Sequence, residues 1–134
     1  MIGIDTNVLV RYIVQDDPAQ SRAAGRFVEQ TINTATPGFI NRIVICELVW
    51  VLEDCYGYVR EEIAETLQRL FEIDRIRIET PELAWRALDA YRNGTDFSDA
   101  LIALVNVDRG CDHTVSFDRR AARFGKIKLL DARK

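Results

Sequence analysis

Four acidic residues stand where surface charge is not expected. Asp5 closes the apolar run Ile2-Gly3-Ile4, and Asp118 closes Thr114-Val115-Ser116-Phe117. Glu47 has only apolar neighbours three and four positions away: Ile43, Val44, Trp50 and Val51. On a helix that face predicts a buried carboxylate, which must be paired, protonated or bound to a cation. Asp96 and Asp99 are three apart in Thr95-Asp96-Phe97-Ser98-Asp99, which puts both on one side of a helix start. Each acid has a plainer reading. Asp5, Asp96 and Asp118 suit helix caps, and Glu47 suits a buried ion pair with a distant arginine. Gathered in one pocket, the carboxylates of Asp5, Glu47, Asp99 and Asp118 would repel one another by about 4 kcal/mol per pair at 4 Å and an effective dielectric near 20. A hard divalent cation such as Mg²⁺ or Mn²⁺ would relieve that repulsion through all-oxygen ligation. Such an ion lowers the pKa of a bound water and braces a phosphodiester during attack.

These acids must be positioned by strands and helices in alternation. Met1–Ile4 reads as a short buried parallel strand, followed by a helix over Asn7–Val14. Asp16-Asp17-Pro18 starts a second helix with Pro at its first position. Ala23, Ala24, Phe27, Val28 and Ile32 give that helix an apolar stripe. Thr34–Ile40 contains Pro37-Gly38 and is a loop with at most a short strand. Asn41 caps a helix that runs to about Tyr56 and ends at Gly57. Val59–Ile73 is amphipathic, and Arg75–Glu79 alternates like a strand. Thr80-Pro81 opens a helix through Tyr91, and Ser98–Asp108 forms another that ends at Gly110. His113–Phe117 and Lys126–Leu130 are strands around a short helix at Asp118–Phe124. The fold class is therefore α/β, with a mainly parallel, twisted central sheet of about four or five strands flanked by helices. Sites in such sheets gather at the carboxyl ends of strands. Trp50, Trp85 and Phe27 sit among apolar residues at helical spacing and read as core.

The chain has 134 residues, 48% of them hydrophobic and 29% charged, which suits one ordinary domain and argues against disorder. No apolar run reaches the roughly 18 residues of a membrane span. The start lacks the basic and small-residue segments of a signal peptide, so a cytoplasmic protein is expected. Cys46, Cys55 and Cys111 form no C-x-x-C and read as small apolar residues. With His113 as the only histidine, a zinc site is not expected. Residues 109–134 carry eight Lys/Arg against three Asp/Glu, whereas residues 1–108 carry ten against eighteen. A polyanion partner is permitted by that asymmetry, not demanded.

Asp5-Thr6-Asn7-Val8-Leu9-Val10-Arg11 resembles the opening of the PIN-domain nucleases, in particular the VapC-type toxins of toxin–antitoxin pairs. Cys46-Glu47-Leu48-Val49-Trp50-Val51-Leu52, Asp96-Phe97-Ser98-Asp99-Ala100-Leu101-Ile102-Ala103 and Ser116-Phe117-Asp118-Arg119-Arg120-Ala121-Ala122 are similar to the later acidic segments of that family, in the same order. The resemblance implies a PIN-like domain over residues 1–134. It also implies a metal-dependent endoribonuclease in which Asp5, Glu47, Asp99 and Asp118 surround Mg²⁺ or Mn²⁺. Asp5 and Asp99 would ligate directly, and Glu47 directly or through water. Asp118 would serve a second ion or act through water. Thr6, Asn7 and Ser116 would orient those carboxylates, with Asp96 assisting or only capping. Arg119, Arg120 and Arg123 would hold the RNA backbone, their competing reading being a solvated helix face. The family also implies a small cognate antitoxin and a homodimer, with no membrane.

Two other readings compete. A phosphoacceptor receiver domain has similar size and an acidic Mg²⁺ pocket, but it wants paired acids after its first strand and a lone acceptor Asp on a middle strand. Neither is apparent here. A catalytically silent PIN scaffold that binds RNA or protein is opposed by the presence of all four acids. A haloacid-type phosphatase needs D-x-D, and position 7 is Asn. No G-x-x-x-x-G-K-[ST], G-x-S-x-G or H-E-x-x-H occurs.

Overall fold

The computed structural model describes residues 1–133; Lys134, one of the basic residues in the positive stretch, lies outside them. The chain divides into two compact units, Met1–Pro81 and Glu82–Lys134.

In the first unit the elements are β1 (Ile2–Gly3), α1 (Thr6–Val14), α2 (Pro18–Arg26), β2 (Gly38–Ile40), α3 (Arg42–Asp54), α4 (Arg60–Phe71) and β3 (Ile76–Ile78). A π-helical turn, Phe27–Thr31, extends α2. The strands are parallel in the order β1-β2-β3, with Ile2 opposite Gly38 and Gly38 opposite Ile76. Parallel neighbours need crossovers, and the helix pairs α1–α2 and α3–α4 supply them. Local chemistry sets the helix starts. Asp17 accepts from the Gln20 N–H at 3.0 Å, with Pro18 first in α2. Asn41 Oδ1 accepts from the Val44 N–H at 2.9 Å. Beyond α3, Gly57 takes a positive φ of 67°, which suits a residue without Cβ. Leu9, Val28, Ile40, Leu48, Leu52 and Ile63 are fully buried and form the middle of this unit's core.

The second unit holds nearly all of α5 (Pro81–Arg92), then α6 (Phe97–Asp108), β4 (Thr114–Ser116), a 3₁₀ turn (Ala121–Arg123) and β5 (Ile127–Leu129). β4 and β5 pair in parallel, Val115 opposite Lys128. Tyr91 and Phe97, both fully buried, meet edge to face with centroids 6.2 Å apart. Ala103 of α6 packs with Ala121 and Ile127, and the Asn106 side-chain amide donates to Thr114 Oγ1 at 2.8 Å.

Among the described residues the strands pair as a set of three and a set of two, parallel within each set, and alternate with helices or a 3₁₀ turn, so the α/β class holds. Several expectations need correction. β1 is not buried: Ile2 is 38% exposed and Gly3 is exposed as well, because a two-residue strand at the end of the three-stranded set has a partner on one side only. Trp50 is 59% exposed and Trp85 37%, while Phe27 is half-buried. Helical spacing finds a face but does not say which face is covered. Cys55 and Cys111 are exposed, so only Cys46, half-buried, approaches a packing role. The segment expected as a helix at Asp118–Phe124 is the single 3₁₀ turn.

Candidate active site

Asp5 is the N-cap of α1. Its backbone is extended (φ −80°, ψ 158°), and its Oδ1 accepts from the Thr6 N–H at 2.8 Å. The hydroxyl of Thr6 donates to Oε1 of Glu47 at 2.6 Å. One threonine thus clasps both acids, tying the start of α1 to the middle of α3. Asn7 lines the same open groove of about 400 Å³, together with Asp5, Glu47 and Trp50.

Glu47 itself is exposed, contrary to the expectation from its neighbours. The buried stripe of α3 is Val44, Ile45, Leu48, Val49 and Leu52. Ile43, 71% exposed, and Trp50 share the uncovered side with Glu47. Burial therefore does not force Glu47 to find a counter-charge, and among the described residues it has no ion pair. What holds it is Thr6.

At the far end of the groove, Arg11 is engaged within the fold. Its Nε donates to Gln20 Oε1 at 2.7 Å, and its Nη1 donates to Asp16 Oδ1 at 3.0 Å and to the Tyr56 hydroxyl at 3.1 Å. Tyr56 in turn donates to Asp16 Oδ2 at 3.0 Å. The Tyr56 hydroxyl raises the Arg11 guanidinium above its ordinary value and draws Asp16 below the usual carboxylate range. Sequence reading passed over Tyr56, which is 45 positions from Arg11 and carries no local signal.

In the second unit, Asp96 is the N-cap of α6; its Oδ2 accepts from the Asp99 N–H at 3.1 Å. Asp99 is half-buried at the first turn. Burial pushes its carboxyl above the usual range, and the negative charges of Asp96 and Asp118 push it in the same direction. Asp118 Oδ1 accepts from the N–H groups of Arg120 at 2.8 Å and Ala121 at 3.3 Å, starting the 3₁₀ turn. Ser116 Oγ accepts from the backbone N–H of Asp118 at 3.0 Å, so it fixes the chain there rather than the carboxylate. Arg119, Arg120 and Arg123 are exposed.

Each unit thus supplies a set of acids: Asp5 with Glu47 in the first, Asp99 with Asp96 and Asp118 in the second. All the donors are carboxylate or hydroxyl oxygens, the type a hard divalent cation takes. The Asp99 carboxyl is raised first by burial and then by its acidic neighbours, and none of Asp5, Glu47, Asp99 and Asp118 has an ion pair among the described residues. Among the described residues no group of three or more His, Cys, Asp or Glu is gathered for a metal ion.

Parallel strands with helical crossovers, and acids at the strand ends and helix starts, define a class that comparison makes explicit. The PIN domain family matches residues 2–127, and the chain belongs to that family. It is 28% identical over 124 residues to a protein of Aquifex aeolicus (strain VF5) named VapC ribonuclease, covering 91% of this chain and 90% of that relative. Among the described residues no helix is long and apolar enough to cross a membrane.

Proposed function

We propose that the protein is a cytoplasmic, metal-dependent endoribonuclease, the toxin of a toxin–antitoxin pair, acting with Asp5, Glu47, Asp99 and Asp118 as its acidic residues and Mg²⁺ or Mn²⁺ as its cofactor. The observation that carries this is the likeness to a VapC ribonuclease along nine-tenths of both chains, in a chain with acids at the ends of its strands and the starts of its helices. When bound, a divalent cation would supply Lewis-acid polarisation of the phosphodiester and a lowered pKa for water. The chain's own groups do the rest. Thr6 holds Glu47 by its hydroxyl and Asp5 by its N–H, so those two acids keep a fixed relation. Asp96 and Asp118 spend part of their oxygen valence on helix starts, which fixes their direction. Arg119, Arg120 and Arg123 take the RNA phosphates. On this reading a small cognate antitoxin restrains the protein, which works as a homodimer.

Purified free of any inhibitor, the protein should cut RNA internally. EDTA should stop cutting, and Mg²⁺ or Mn²⁺ should restore it. The rate should fall at low pH as the raised Asp99 carboxyl takes up a proton. Asp5→Ala and Asp99→Asn should each abolish cutting with circular dichroism unchanged. EDTA-resistant cutting, or full activity in Asp5→Ala, would overturn the mechanism. Binding of RNA without cutting under any divalent metal would replace it with the silent-scaffold reading.

A further inference from the structure

The second unit carries an open cleft of about 540 Å³, and none of Asp5, Glu47, Asp99 and Asp118 is among its lining residues. Ala90 of α5 and Leu104 of α6, both buried, form its apolar base. Trp85 and Phe124 line it as well, Trp85 partly exposed and Phe124 half-buried, so aromatic surface is open to the cleft. Two cations join them. Arg86 is exposed and Lys126 half-buried, and neither has an ion pair among the described residues. Holding an ammonium partly out of water without a counter-charge costs free energy, which an anion in the cleft would offset. Asp89 and Asn93 complete the polar lining, on the same side of the chain as Trp85 and Arg86 by their spacing of three and four. Asp89 also has no ion pair among the described residues. Asn93 donates from its side-chain amide to the Asp89 carbonyl at 2.9 Å, which keeps its Oδ1 as an acceptor for a ligand.

We infer that this cleft binds a free purine 5′-mononucleotide, with the base against Trp85 and Phe124, the ribose hydroxyls donating to Asp89 and the phosphate held by Arg86 and Lys126. Each part of that ligand answers a group already present. A simple anion would satisfy the cations but meet Asp89 as a repulsive charge. An apolar ligand would cover the rings and leave both cations unpaired. A nucleotide brings a π-face for the aromatic rings, a diol of the kind that carboxylates take in dinucleotide sites, and a phosphate for the guanidinium and ammonium. The volume is in the range of small-molecule sites. Lys126 precedes β5 whereas Asp118 follows β4, and the two strands are parallel, so these residues stand at opposite ends of the pair. The cleft is thus a site apart from the acids, and the inference does not rest on the ribonuclease reading.

The test is calorimetric titration of AMP into the full chain in EDTA, with adenosine, inorganic phosphate and the dinucleotide ApA titrated in parallel. AMP should bind at one site, more tightly than adenosine or phosphate. Arg86→Glu should weaken AMP by roughly 10-fold or more and leave adenosine unchanged. The Arg86 side chain being exposed, this variant should keep the wild-type melting temperature. Trp85→Ala should weaken AMP and adenosine alike, by roughly 5- to 150-fold, and Trp85→Phe should recover most of the loss. Trp50→Phe leaves Trp85 as the only tryptophan, and AMP should quench its fluorescence. Equal AMP affinity of wild type and Arg86→Glu overturns the site, as does AMP binding without a quench or no tighter than phosphate. Tighter binding of ApA than of AMP, lost in Arg86→Glu, gives the cleft to the end of an RNA chain and overturns the free nucleotide. Absence of AMP binding, with a dimer that sedimentation shows to be lost in Trp85→Ala, gives it to a second copy instead.

Discussion

Thr6 is the smallest group on which the candidate site depends. Its hydroxyl is the bond that holds Glu47, an exposed side chain with several rotamers open to it. Thr6→Val keeps the shape and removes the donor. It should lower kcat by roughly 10–100-fold, the usual effect of losing a partner that orients a functional carboxylate. Thr6→Ser should restore most of the rate, and steady-state cleavage of a labelled RNA distinguishes the two. Asp99 makes a prediction of opposite sign on stability. Its folded pKa lies above its ordinary value, so the folded state binds the proton more readily than the unfolded one, and stability falls as pH rises through that value. Asp99→Asn should therefore raise the melting temperature of the metal-free protein by about 1–3 °C at neutral pH. The gain should fade as pH drops below the ordinary carboxylate range, where Asp99 is neutral in both states. Added Mg²⁺ should stabilise the wild type more than the variant. A melting series over pH, with and without Mg²⁺, checks all three statements.

At the scale of elements, α3 shows how far a local signal reaches. Asn41 caps it, and the helix carries Glu47 two turns on. Asn41→Ala should cost about 1 kcal/mol and Asn41→Ser far less, measured by urea unfolding. That cap was legible in the sequence, as were Asp17-Pro18, Asp96 and Gly57, because capping and chain reversal are settled within a few residues. Alternation of strands with helices was legible for the same reason. The orientation of α3 was not. Ile43, Glu47 and Trp50 share a face by spacing, and the sequence alone suggested that so apolar a face is covered. The structure covers the stripe of Val44, Leu48 and Leu52 instead. Which stripe is buried depends on what packs against the helix, and that information lies tens of residues away. The Arg11–Asp16–Tyr56 cluster was hidden for the same reason, and so was the Thr6–Glu47 bond, which joins residues 41 positions apart.

At the scale of the molecule, the charge is divided along the chain. Eight basic residues against three acidic ones fall after position 108, in a protein of net charge −3. Overall acidity would repel RNA, so binding by the proposed enzyme must depend on that local excess, and it should weaken steeply with salt. Arg120→Ala should reduce affinity for all RNA sequences alike and lower the slope of log affinity against log salt by about 1. Anisotropy titrations at several salt concentrations measure that slope, and metal affinity should be unchanged.

The strand registers also set an order in time. Ile2 finds Gly38 across 36 positions, and Gly38 finds Ile76 across 38, whereas Thr114 finds Ile127 across only 13. Closing the longer loops costs about 1 kcal/mol more in chain entropy than closing the shorter one, and non-local pairings slow folding. The β4–β5 ladder is therefore the first pairing a refolding chain can make cheaply. β2, which needs partners from both directions, is the last strand to be satisfied on both sides. A chain caught part-way would hold Asp118 in its native turn while Asp5 still lacked a sheet behind it.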